Sequence, residues 1–323
     1  MEIYFDRENL LSFIKSVHDD RFNDCNRLLK RQKNKITINC LKEKLMESPE
    51  AGNWIRTMTD GLQSSIVFTD SLFPERPIKS NSYISFRMNH FSALYLIDDI
   101  DSNKIIQRGC ILLDNVGKEV ESLSTLYYDD YQFTKNIEVK ELNNWGFLRQ
   151  YAMPLTDIII VDQFCLSSPE LIESNLVQLL KELSSKVKET KINIVVFTAK
   201  ESYYSNDAIS QIKRELKKSI GCAPNVTIVL SSKQNLKEHD RSIVTNYQAL
   251  DSGDTYNYFN SKNDLITKGR YLHIKSKANF DNEKSSTSLL TDMQALINSI
   301  NNEDLLIGDK QSNFLSFKMN ESI

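Results

Sequence analysis

The sequence predicts an α/β protein of two domains, and three observations carry that prediction. Continuous apolar runs at TDIIIVDQF (156–164), INIVVFTAK (192–200) and NVTIVLSS (225–232) alternate with two helical stretches. A strand with apolar residues on both faces is the form a sheet takes when helices cover it on each side, and the β-α-β-α-β order makes that sheet mostly parallel. The chain is 323 residues long, enough for two cores, and its first half mixes strand-like and helix-like segments in a less regular order.

EIYF opens the chain as a short strand. Residues 7–31 read as a helix, with Leu10, Leu11, Phe13, Ile14 and Val17 on one apolar face. KITIN is a second strand, and a helix containing Trp54 is expected from about Cys40 to Met58. SSIVF and SYISF are strand-like runs separated by a loop with Pro74 and Pro77. The stretch 90–152 is expected to be helical at both ends around GCILLDNVG.

After Pro154 the pattern sharpens. The helix following the first apolar run begins at a serine N-cap with Pro169 in its first turn and Glu170 close by. The next, SNDAISQIKRELKKSIG, closes on Gly221. RSIVTNYQAL and RYLHIKS read as further strands, STSLLTDMQALINSIN as the closing helix, and the last dozen residues as a loose tail. The expected division is a mixed α/β domain over 1–152, a second domain over 153–310 and a tail over 311–323.

Composition bounds the function classes. The net charge is -3, which argues against a wholly electrostatic, histone-like binder. Residues 181–281 nevertheless hold 17 Lys and Arg against 11 Asp and Glu. Such an excess suits solvated helix faces or the surroundings of an anion site. The five cysteines are scattered, with no C-x-x-C pair, so neither a disulfide framework nor a thiolate zinc site is indicated. The charged start MEIYFDREN and the lack of a long apolar run point to a cytoplasmic protein with no membrane span.

The chemistry-bearing segment is EHDRSIVTNYQALDSGDTYN, where His239, Arg241 and Asn246 are spaced as H-x-R-x4-N and Gly253 and Asn257 follow. Residues 239 and 241 would share one side of a strand, because side chains alternate. Histidine can attack phosphorus or hold a proton near neutral pH. Arginine offers a planar fork for two phosphate oxygens. Gly253 would let the backbone approach an anion, and Asn257 would add a donor.

HDRSIVTN, SGDTYNYF and the preceding β-α-β-α-β run together resemble the phospholipase-D-like superfamily over roughly residues 155–300. The likeness is closest to the H-D-R branch, which includes the C-terminal domain of MIT-domain proteins. It implies a phospholipase-D-like fold for the second domain. In enzymes of that superfamily a His is the nucleophile, a Lys holds phosphate and an Asp orients the His, with two motifs in one chain or across a dimer. By resemblance, His239 and Arg241 take the first two roles and Asn246 falls at the third. Asn246 is neutral where the pattern is acidic; the analogous change in a Ser-His-Asp triad costs about 10⁴ in rate. Asp254 stands where a serine is expected, and a carboxylate there repels phosphate. A second motif at His273 and Lys275 has its acid, Asp281, one residue late.

The expected function is a module that binds a phosphodiester, nucleic acid first among them, through a degenerate site, as a subunit of a bacterial defence assembly. The alternatives are a phosphodiesterase or nuclease using His239 across a homodimer, and a structural subunit binding other proteins. No cofactor is expected. One further pattern points elsewhere: Asp6, Asp70, Asp98, Asp99 and Asp101 follow apolar runs, and IYFDREN resembles the start of a PIN-type ribonuclease domain. Carboxylates at strand ends can hold Mg²⁺, and Asp6 and Asp99 are the metal candidates on that reading.

Overall fold

The computed structural model describes residues 2–15, 35–60, 65–69, 93–96, 111–113, 134–203, 207–236, 241–267, 269, 271–300 and 303–316. The chain forms two compact units, one of Met1–Phe133 with Ser276–Glu283 and one of Thr134–Lys275 with Lys284–Ile323. The α/β class expected from the sequence is the class observed, with a small parallel sheet and a larger mixed one.

In the first unit β1 (Glu2–Asp6) is flanked by β2 (Lys35–Asn39) and β4 (Ala93–Leu96), with β3 (Ser65–Phe68) and β5 (Ile111–Leu113) outside them. The order is β3-β2-β1-β4-β5, and every pairing is parallel. Helix α1 (Arg7–Lys15) starts directly from β1 because Asp6 caps it, Oδ1 accepting from the Asn9 N–H at 2.7 Å. Phe5 packs against Phe13 and Trp54 at ring distances of 5.7 and 6.0 Å. The helix expected over Cys40–Met58 is two, α2 (Lys42–Met46) and α3 (Pro49–Thr59). Pro49 cannot donate within a helix and disfavours helical geometry at Ser48, whose hydroxyl instead caps α3 through the Ala51 N–H. Residues 93–96 are a strand where a helix was expected, since a four-residue apolar run carries no period that separates the two. SYISF and the later part of the helix expected over 7–31 lie outside the described residues.

The second unit holds the larger sheet, ordered β13-β9-β8-β7-β10-β11-β12-β6. Its strands are β6 (Thr134–Glu138), β7 (Asp157–Val161), β8 (Asn193–Ala199), β9 (Asn225–Ser231), β10 (Arg241–Thr245), β11 (Gln248–Ser252), β12 (Tyr271–Ser276) and β13 (Leu306–Gly308). The sheet thus begins upstream of residue 152. A "mostly parallel" sheet is corrected to a mixed one: β7, β8 and β9 run parallel, while β10 is antiparallel to both β7 and β11, and β13 is antiparallel to β9. RSIVTNYQAL is a hairpin, not one strand. Its two-residue turn, Asn246–Tyr247, is held by the Gln248 N–H donating to Thr245 Oγ1 at 3.1 Å, and a loop that short forces antiparallel pairing.

Two helices link the parallel strands. In α4 (169–183) Ser168 is the N-cap and Pro169 follows it, as the sequence predicts. Its middle, Ile172–Val177, widens into a π-helical turn. Helix α5 (Asp207–Ile220) ends on Gly221, whose φ is +84°. These two helices pack on one another over one face of the sheet. Helix α6 (Phe280–Ser299) covers the other, where Met293 joins Val161, Val195, Phe197 and Val244. The "loose tail" is also corrected over 311–316, where Phe314 is 9% exposed in that same cluster and Ser312 donates to Asp157 at 3.2 Å; residues 317–323 lie outside the described residues.

Candidate functional site

Sheet order places the candidate site. From β7 the chain steps to β8 and β9 on one side, then returns to β10 on the other, so β7 and β10 flank a topological switch point. Loops part there at the carboxyl ends of parallel strands, which is where open α/β sheets bind ligands. Asp162 follows β7 and Arg241 opens β10 at this edge.

Asp162 organises the edge. Its carboxylate is fully buried and accepts from the Phe164 N–H at 2.8 Å, the Tyr256 N–H at 2.7 Å and the Thr255 hydroxyl at 2.8 and 3.0 Å. These bonds bind the segment after β11 to the end of β7. Burial pushes the Asp162 pKa up, opposed by its hydrogen bonds and by the nearby Arg241 charge. Gln163, the next residue, donates to the Lys233 and Leu236 carbonyls at 3.3 Å and fixes the turn leaving β9. Lys233 lies 5.2 Å from the centre of the Phe164 ring.

Arg241 is half-buried, and its Nε is buried with no hydrogen-bond partner among the described residues. It shares a sheet face with Ser252, its cross-strand partner, and its charge also reaches Tyr258. His239 lies outside the described residues, in the 237–240 segment between Leu236 and Arg241. Gly253 is exposed, but its N–H donates to the Tyr271 carbonyl at 3.2 Å. Asp254 is occupied by the Thr255 N–H at 2.8 Å and the Thr267 hydroxyl at 2.6 Å. Asn257 is 6% exposed; its amide donates to the Phe164 carbonyl at 2.8 Å, while its Oδ1 has no partner among the described residues.

Asn246 does not join Arg241. It follows the far end of β10, five residues on, which in a strand is about 16 Å. There its Oδ1 accepts from the Thr156 and Asp157 N–H groups at 3.0 and 3.2 Å, and its amide donates to the Thr156 hydroxyl at 3.1 Å. This side chain closes the hairpin turn onto the start of β7. His273 and Lys275 lie on the opposite sheet face from Arg241, because Lys275 pairs with Asp251 at 2.5 Å and Asp251 with Ser242 at 2.8 Å.

A cavity of about 550 Å³ elsewhere in this unit is lined by Glu170, Glu173, Glu182, Trp145 and Phe259, a sign of charge unsuited to phosphate. In the first unit Asp6 is 2% exposed and occupied with Asn9; Asp99 lies outside the described residues. Among the described residues no three His, Cys, Asp or Glu side chains are grouped to hold a metal ion, and no helix is long and apolar enough to cross a membrane. Comparison of the chain with protein-family models and with curated proteins gave no match.

The sequence pointed to Arg241 through its motif. Asp162 is signalled by its place after IIIVD, at the edge where parallel sheets bind ligands, with capping of the following helix as the other role its position offers. Gln163 and Thr255 carry no signal, and the part of Thr255 follows from the meeting of β7 with a segment about ninety residues downstream.

Proposed function

We propose that the second unit binds the phosphodiester backbone of nucleic acid at the β7–β10 switch point, with Arg241 as the anchoring cation. The observation that carries this reading is a half-buried guanidinium at the ligand-binding edge whose Nε has no partner among the described residues. Asp162 lies near it, but three donors, the Phe164 N–H, the Tyr256 N–H and the Thr255 hydroxyl, already occupy that carboxylate, which among the described residues leaves the guanidinium fork for phosphate oxygens. Asp162 acts as a positioning residue by fixing the loops on either side of Arg241. The remote, fully engaged Asn246 favours binding over hydrolysis, since it cannot orient an imidazole near Arg241.

A second reading rests on the first unit. Its order brings Asp6 to the crevice between β1 and β4, and in the sequence Asp99 follows the end of β4 by three residues. A divalent cation held there would supply hydrolytic chemistry.

One experiment separates these readings. Affinity for a labelled DNA duplex is measured against salt for wild type and Arg241→Ala, and cleavage is followed with Mg²⁺ or with chelator. Loss of one phosphate contact weakens binding and lowers the salt slope by about 0.9. Identical affinity and slope in Arg241→Ala would overturn the proposal. Chelator-resistant cleavage lost in His239→Ala would make the second unit an enzyme, and Mg²⁺-dependent cleavage lost in Asp99→Asn would move the chemistry to the first.

A further inference from the structure

The outer surface of the second unit's helices carries a concentration of positive charge that the switch-point site does not use. Residues 181–191 and 213–218 hold eight lysines and arginines against three glutamates, in a chain whose net charge is -3. The structure brings these two stretches together. The Glu189 N–H donates to the Ile220 carbonyl at 2.9 Å, tying the loop after α4 to the end of α5. The Lys191 charge acts on both Cys222 and Asp309.

The carboxylates here are largely spent. Glu215 is held by Lys218 at 2.7 Å, Arg214 at 3.1 Å and Lys181 at 3.6 Å, which keeps its pKa down to about 2. Asp309 is bound by Lys213 at 2.6 Å. Helix α5 buries Ile212, Leu216 and Ile220 and turns Arg214, Lys217 and Lys218 outward beside the exposed Lys188 and Lys191.

We infer that this face is a docking surface for the phosphate backbone of a nucleic acid, distinct from the Arg241 edge. Clustered ammonium groups on a rigid helix suit a polyanion, because displaced counterions supply the binding free energy and no base contact is required. The large apolar side chains that are exposed, Ile266, Tyr271 and Phe280 in the second half of the chain, all lie outside these two stretches. A protein partner's hot spot or an inserted membrane face would need such an anchor here. The inference shares its ligand class with the Arg241 reading but not its residues, so the two fail separately.

The test is anisotropy of a labelled 20-base-pair duplex between 50 and 200 mM salt, with wild type, the double variant Lys188→Gln/Lys217→Gln and Arg241→Ala. Neither lysine's ammonium group has a hydrogen bond or ion pair among the described residues, so the double variant should fold, and its circular dichroism melt checks this. Two lost contacts reduce the salt slope by about 1.8, so the affinity lost across that salt range shrinks by about tenfold. An unchanged slope in the double variant overturns the inference, even where Arg241→Ala weakens binding. Weakening in the double variant alone supports it and removes the Arg241 reading instead. Vesicles rich in phosphatidylserine form the last arm. If they bind and lose binding in the double variant while duplex binding stays constant, the occupant is a membrane surface and the inference is overturned.

Discussion

Asp157 and Asp162 stand at opposite ends of the same strand, and burial raises the pKa of each above the ordinary carboxylate value near 3.9. At Asp157 the side-chain bond with Thr156 and those from Asn193 at 3.1 Å and Ser312 at 3.2 Å work against burial without cancelling it. The folded chain therefore keeps the Asp157 proton at pH values where the unfolded chain has lost it. Stability from such a group is fully present below about pH 3.9 and is lost as pH rises through the higher folded value. Asp157→Asn keeps the shape and, through its Oδ1, the bonds from Asn193 and Ser312, but cannot titrate. Urea unfolding across pH 3.5–7 should show wild type losing stability relative to Asp157→Asn as pH rises through that window. A constant difference would show that Asp157 does not titrate differently on folding.

Among the elements, α4 shows how much of a helix is local. Its start was legible, because Ser168 and Pro169 are a cap and a first-turn residue wherever they occur in this order. The π-helical turn was not. Within it Asn175 bonds to Phe259, whose N–H donates to Asn175 Oδ1 at 2.8 Å and whose carbonyl accepts from the Asn175 amide at 2.7 Å. Asn175 thereby stands in for a strand partner, and its Oδ1 also accepts from the Trp145 indole at 3.4 Å. Asn175→Ala leaves the buried Phe259 N–H and Trp145 indole N–H unpaired, while the Ser174 hydroxyl at 3.1 Å still reaches the Phe259 carbonyl, and thermal or urea unfolding should show a loss of about 2–4 kcal/mol. The β10–β11 hairpin was hidden for a different reason. Asn246–Tyr247 lacks the Asn-Gly or Asp-Gly signature of two-residue turns, and only its cross-strand bonds reveal it.

Across the whole molecule, local pattern gave the three parallel strands and their helices, since burial on both faces writes an apolar run into each strand. Strand order and the reach of the sheet depend on distant pairings. β6 lies upstream of the expected boundary, and Phe314 lies beyond the expected last domain, yet both belong to the second unit. Phe314 meets Phe197 edge-on at 6.3 Å, and its carbonyl accepts from the Gln294 amide at 3.1 Å. A chain ending at residue 310 should lose about 3 kcal/mol or more, as expected for emptying a buried Phe site, with Phe314→Ala accounting for most of the loss in urea titrations. Equal stability of both variants with wild type would show that residues 311–316 do not hold the core.

The larger sheet ends in two unlike strands. β13 is three residues long, and beyond it Asp309 turns back to accept from the Val226 N–H at 2.7 Å, so little free edge remains. β6 is five residues long with four exposed, and among the described strands only β12 pairs with it. An unpaired strand margin is a template for added chains, and charged side chains such as Lys135 and Glu138 are the usual guard against that. Under conditions that screen or neutralise those charges, self-association of this protein should begin along β6.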